Sequence, residues 1–236
     1  MRMKKAILFL LVFCLMFVGC SVSQSDSTES TPATDIKDSV TVTEAAMDTE
    51  QAKDSRTVTP LPDTTMENLT DAILSISLGE ENTYVDEDGH TQMELTIYTF
   101  DQYDMVDIAT LQIGDILVRH DSEVKVVSKE QNEAGTVFIN GGLENGGFDL
   151  VTDDCGIYYE SGFNDSKSWY KIGAATIRVS ADFKGFDCAD LDLGEVTVKA
   201  EDFLTGAVTN FDFTPYNTTV RVENGQIVEL YRAYTP

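Results

Sequence analysis

The sequence predicts an all-β protein, an antiparallel sandwich or a set of small β-barrel modules, and three observations carry that prediction. Its apolar runs are short, rich in Val, Ile, Tyr and Phe, and alternate with a period of two. Clusters of Gly, Asn and Asp separate them at spacings of roughly 8–15 residues, the rhythm of many short strands. Near the end, Glu223-Asn224-Gly225-Gln226 joins two alternating runs through Asn-Gly, the pair best suited to a two-residue hairpin turn, because both central residues need positive φ.

The elements follow in order from about Met66. Leu74, Ile76 and Leu78 alternate, as do Met93, Leu95, Ile97 and Thr99. Gly114-Asp115 leads into Ile116-Leu117-Val118, then come Glu123-Val124-Lys125-Val126 and Thr136-Val137-Phe138-Ile139, a meander suited to a small barrel. Gly156–Tyr159, Trp169–Val179, Val196–Ala200, Thr218–Val222 and Ile227–Tyr231 complete the strand candidates, with short helical turns expected at Tyr103–Thr110 and Ala200–Leu204. Residues 66–236 therefore read as one all-β domain, with room for two small β modules meeting near residue 160.

Upstream the composition is different. Residues 20–65 are rich in Ser, Thr, Asp and Glu, broken by Pro32, Pro60 and Pro62, and free of aromatics. Such a stretch cannot bury enough apolar area to offset its ordering entropy and reads as a disordered tether. Its coil dimension is on the order of 35–40 Å. Residues 1–19 read as an export signal: Arg2, Lys4 and Lys5 precede the apolar run Ala6–Val18, which is short for a membrane span.

The leader ends in Phe17-Val18-Gly19-Cys20. This resembles the lipobox of bacterial lipoproteins, although Phe17 stands where leucine is usual. The resemblance implies cleavage before Cys20, a diacylglycerol with palmitate-type chains on its sulfur, and tethering to the extracytoplasmic face of the cell membrane. Lipobox, acidic tether and Gly-rich β domain together look similar to cell-surface lipoproteins of Firmicutes. That resemblance of style transfers no functional residue beyond Cys20.

The net charge is −25, with 41 acidic against 16 basic side chains, and three of those basic residues belong to the leader. Such a chain repels phosphate backbones, which argues against nucleic acid as a partner. After Cys14 in the leader and Cys20, Cys155 and Cys188 are left. They read either as a disulfide closing a loop of about 34 residues, contributing roughly 3–4 kcal/mol in the chain-entropy account, or as two buried thiols acting as small apolar residues.

Catalytic signals are sparse. Ser122-Glu-Val-Lys125 fits Ser-x-x-Lys in letters, but in a strand positions i and i+3 face opposite ways. His90 and His120 lie in separate loops without a partner at metal-ligand spacing. Calcium is the better metal candidate, since Asp187, Asp190, Asp192 and Glu195 place four carboxylates close together, and Asp86-Glu-Asp88-Gly89 resembles half of a calcium loop. The plain alternative is solvated surface. Phe163, Trp169 and Tyr170 offer flat faces beside Asn and Asp, a platform for stacking on sugar rings, or else cross-strand packing.

These features point to a membrane-anchored, non-catalytic display module binding a cell-wall or host glycan, a peptide or another envelope protein. The alternatives are a structural or assembly lipoprotein and a small polymer hydrolase. The only cofactor the residues suggest is calcium.

Overall fold

The computed structural model describes residues 55–120, 122–162, 166–208 and 210–235. The leader, Cys20, most of the tether and Phe163 lie outside the described residues. The protein is all-β, with two six-residue helices among its strands.

The chain runs through β1 (Thr57–Val58), β2 (Ala72–Ser77), β3 (Thr83–Val85), β4 (Thr91–Thr99) and β5 (Gln102–Tyr103) to α1 (Met105–Thr110). Then come β6 (Ile116–Arg119), β7 (Ser122–Lys125), β8 (Lys129–Gln131), β9 (Val137–Ile139), β10 (Phe148–Thr152) and β11 (Tyr158–Ser161). A long strand, β12 (Tyr170–Asp187), leads to β13 (Val196–Val198), α2 (Ala200–Thr205), β14 (Thr218–Glu223) and β15 (Gln226–Arg232).

Five of these strands close into a barrel. β2 pairs with β4, β4 with β12, β12 with β15, β15 with β14, and β14 returns to β2. All of these pairings are antiparallel except the β12–β15 seam. Taken in chain order the barrel runs 1-2-3-5-4-1 with its third and fifth strands parallel, which is OB-type connectivity. β12 makes this possible by being 18 residues long: Tyr170–Arg178 faces β4, and Arg178–Asp187 faces β15 across a register shift between Val179 and Lys184.

Alternation fills the interior. Leu74 and Ile76 point inward from β2, and Met93, Leu95 and Ile97 from β4, all without solvent exposure. Val220, Val222, Ile227 and Leu230 meet them from the opposite wall. Phe203 of α2 packs with Phe183, Phe211 and Phe213 into an aromatic plug on the same core. Asn224 and Gly225 both adopt positive φ in the β14–β15 turn, as the hairpin requires.

Everything from Phe100 to Trp169 is inserted between the second and third barrel strands. It has its own core of Tyr103, Ile108, Leu111, Leu117, Val126, Val137, Ile139, Phe148, Leu150 and Tyr158. A five-stranded sheet, β5-β11-β10-β9-β8, and a smaller β1-β6-β7 sheet enclose that core. Asp104 caps α1 by accepting from the Val106 N–H, and Lys129 Nζ donates to the carbonyls of Ile108, Ala109 and Leu111 at its other end. Burial around that ammonium pulls its pKa down.

One boundary needs correction. Residues up to 65 read as tether, yet β1 pairs in parallel with β6 and Val58 is buried in the inserted module's core. Leu61 N–H also donates to the Gln102 carbonyl at 2.7 Å. The folded unit starts before the shift in composition, because pairing with β6 supplies partners that local composition does not reveal.

Candidate ligand-binding cleft

Where the chain leaves the barrel and where it returns are adjacent: Thr99 at the end of β4 pairs with Tyr170 at the start of β12. The residues flanking that pair, the segment Pro60–Met66 and His120 after β6 surround a cleft of about 460 Å³. A smaller recess of about 220 Å³, lined by Arg119, Glu160 and Ser168, shares Asp101, His120 and Tyr170 with it. The larger space falls in the size range of small-molecule sites.

Asp101 organises this cleft. It is buried, and its Oδ1 accepts from the Tyr170 hydroxyl at 2.8 Å while Oδ2 accepts from the His120 backbone N–H. His120 sits in the left-handed region at φ 48, where a non-glycine residue needs support, and the Asp101 bond supplies some. The imidazole then lies 3.9 Å from the Tyr170 ring, centroid to centroid, tilted by 51°. Asp63 accepts from the Thr99 hydroxyl and, at 3.4 Å, from the Gln102 amide. Gly173 lets Met66 close over β12, since a Cβ there would stand 2.6 Å from the Met66 sulfur.

Beneath the smaller recess, Arg119 makes a bidentate pair with the buried Glu160 carboxylate and lies over the Phe148 ring at 5.0 Å. The hydrogen bond to Glu160 holds the guanidinium above its ordinary pKa. Tyr103 is driven the same way, first by burial and then by the charges of Asp101 and Glu160, so it stays a phenol and donates to the Val118 carbonyl at 2.9 Å. The carboxylates of this region thus orient their neighbours: Asp101 fixes a ring and a backbone turn, and Glu160 fixes a guanidinium. The cleft offers ring faces, hydroxyls, the Asp63 carboxylate and Lys171 to a ligand, a set suited to a polyhydroxylated molecule.

The structure separates several residues grouped in the sequence analysis. Trp169 just precedes β12, Tyr170 opens it, and the two make different contacts. Tyr170 meets His120 in the cleft, whereas Trp169 packs edge-on against Phe100 at 4.7 Å. Phe163 lies outside the described residues. Both Asp187 oxygens hold Arg232. Asp190 caps its own turn through the Asp192 and Leu193 N–H groups, and Asp192 and Glu195 complete no cluster with them. Among the described residues no three His, Cys, Asp or Glu side chains converge on one metal position.

Asp86 likewise caps its turn, accepting from the Asp88 and His90 N–H groups and the Gln92 amide. Cys155 and Cys188 are thiols and not a disulfide, but neither is a buried apolar residue: Cys155 is exposed in the inserted module's β10–β11 turn, and Cys188 is half-buried just after β12. Ser122 and Lys125 are the two ends of β7, as their alternation implied.

Asp63, Phe100 and Asp101 were the residues sequence reasoning missed, and His120 was weighed there only as a metal ligand. They come from three separate segments and share no local motif, so only the folded chain brings them together. No protein-family model matches this chain, and neither a curated protein nor a solved structure matches it.

Proposed function

We propose that the chain is a lipid-anchored lipoprotein of the extracytoplasmic face of a bacterial membrane, and that its β domain binds a neutral glycan in the junction cleft. The leader with Cys20 supports the anchor, and the tether lifts the folded unit off the bilayer. The cleft carries the ligand reading: Phe100, His120 and Tyr170 set aromatic rings around a space of about 460 Å³ that hydroxyl and carboxylate groups also line. Stacking of sugar C–H faces on such rings, with hydroxyls bonded at the edges, is the chemistry these groups provide. An OB-type barrel can serve oligonucleotides as well as oligosaccharides, and the net charge of −25 weighs against the former.

A second reading, an envelope-protein partner, draws on the turn beyond β12, where Leu191 and Leu193 are each 69% exposed. One experiment separates the two. The full chain in non-ionic detergent is screened on glycans and peptidoglycan fragments, with and without calcium. The glycan reading expects a hit that Tyr170→Ala or Asp101→Ala weakens about tenfold or more, the loss of one stacking face or of the group that positions it. A hit untouched by both substitutions, or a blank array, would remove the cleft from consideration, and sensitivity to Leu193→Asp in an envelope cross-linking assay would favour the protein partner.

A further inference from the structure

Next to the cleft, sharing only Phe100 with it, stands a box of three aromatic rings around an ammonium group. Lys167 Nζ lies 4.2 Å from the Phe100 centroid, 5.5 Å from that of Tyr159 and 5.9 Å from that of Trp169. Phe100 meets Trp169 at 4.7 Å and 75°, and Tyr159 at 6.1 Å and 84°, so both rings pack edge-on with Phe100. All three rings and the lysine are half-buried. The rings come from different places: Tyr159 from β11, Phe100 from just beyond β4, and Trp169 from just ahead of β12. Their spacing is set by strand pairing, whereas the lysine reaches in on a flexible stem from the segment joining β11 to β12.

We propose that this box is a binding site for a quaternary or methylated ammonium group, with Lys167 as a built-in occupant that such a ligand displaces. Ring faces attract a cation through their quadrupole and provide no strong hydrogen-bond acceptor. A primary ammonium has three N–H donors that water satisfies better than rings do, so its hold on the box is weak and its flexible stem lets it leave. A trimethylammonium spreads its charge over methyl groups and is poorly hydrated, so ring faces can hold it without hydrogen bonds, as they hold choline-type and methyl-lysine groups. The chain's net charge of −25 raises the local concentration of any cation around it.

Trp169 is the only tryptophan in the sequence, so its emission reports the box directly. Tetramethylammonium chloride is titrated into the full chain in non-ionic detergent, against sodium chloride at equal ionic strength. A saturable change in emission is expected with tetramethylammonium alone, and Lys167→Ala lowers its midpoint about fivefold to tenfold by removing the competing occupant. Lys167→Met, which keeps most of the stem and loses the charge, should behave the same way. Adding Phe100→Leu to either variant abolishes the response.

Emission in both lysine variants that ignores tetramethylammonium, while near-ultraviolet circular dichroism shows the native fold, overturns the proposal. So does loss of the fold in both variants, because the lysine would then be a structural strut and not an exchangeable occupant.

Discussion

The parallel seam of the barrel ends in an ion pair whose removal has a calculable effect. Asp187 and Arg232 are register partners at the last step of β12 against β15. Arg232 is 3% exposed, donates through Nε to Asp187 Oδ1 at 2.8 Å and through a terminal nitrogen to Oδ2, and bonds the Asn210 carbonyl with the other. Its guanidinium also lies over the Phe213 ring at 4.2 Å. Asp187→Ala leaves that cation buried with a carbonyl and a ring face. Breaking a buried pair from one side costs about 3–5 kcal/mol, and the residual 17% exposure of the Asp187 side chain places this case near 3, about a hundredfold in the folding equilibrium.

With a urea slope of about 2–3 kcal/mol per molar, the unfolding midpoint should fall by roughly 1–1.5 M. The double variant Asp187→Leu, Arg232→Met removes both charges and should recover most of that loss, about 2 kcal/mol. Far-ultraviolet circular dichroism and Trp169 emission should give coincident transitions if the unit unfolds in one step. An Asp187→Ala protein within about 0.5 kcal/mol of the parent at unchanged slope would refute the reasoning.

Two further outcomes are expected. Gly225→Ala, at φ 71 in the β14–β15 turn, should cost about 1 kcal/mol in the same urea assay, and Gly225→Val more, because a branched side chain resists the left-handed region further. Asp86 is held below its ordinary value of 3.8, first by the Gln92 amide and then by the His90 N–H. A depressed carboxylate supports its turn above the unfolded pKa and loses that support as pH falls through the folded one. Protection of the His90 amide from hydrogen exchange should therefore drop on acidification below about pH 4 and be pH-independent in Asp86→Asn.

Period-two patterning made much of this fold legible. Leu74 with Ile76, and Met93 with Leu95 and Ile97, announce both their strands and their buried faces, and Asn224-Gly225 announces its turn. Both helices fall where short helical turns were expected, at Tyr103–Thr110 and Ala200–Leu204. Alternation says nothing, however, about which strand is a neighbour. The parallel contact of Arg178–Asp187 with β15 and the nesting of one module inside a barrel are tertiary choices with no local signature. The site was less legible still. Trp169 and Tyr170 looked like one platform, but the first stands just ahead of β12 and the second opens it, and they meet different neighbours. Asp101 and His120 are bonded to each other within the insert, and Tyr170 is brought to Asp101 by the β4–β12 pairing.

That pairing has a consequence for the order in which the molecule assembles. Thr99 and Tyr170 must come within one inter-strand spacing although residues 100–169 separate them. Closing that stretch as a loose coil costs on the order of 4 kcal/mol of chain entropy. If the inserted module is already folded, Gln102 is zipped to Tyr159 through β5 and β11, and the two exits of the module emerge side by side. It then acts toward the barrel as an oversized hairpin turn, and the fastest route to a closed barrel passes through the insert first.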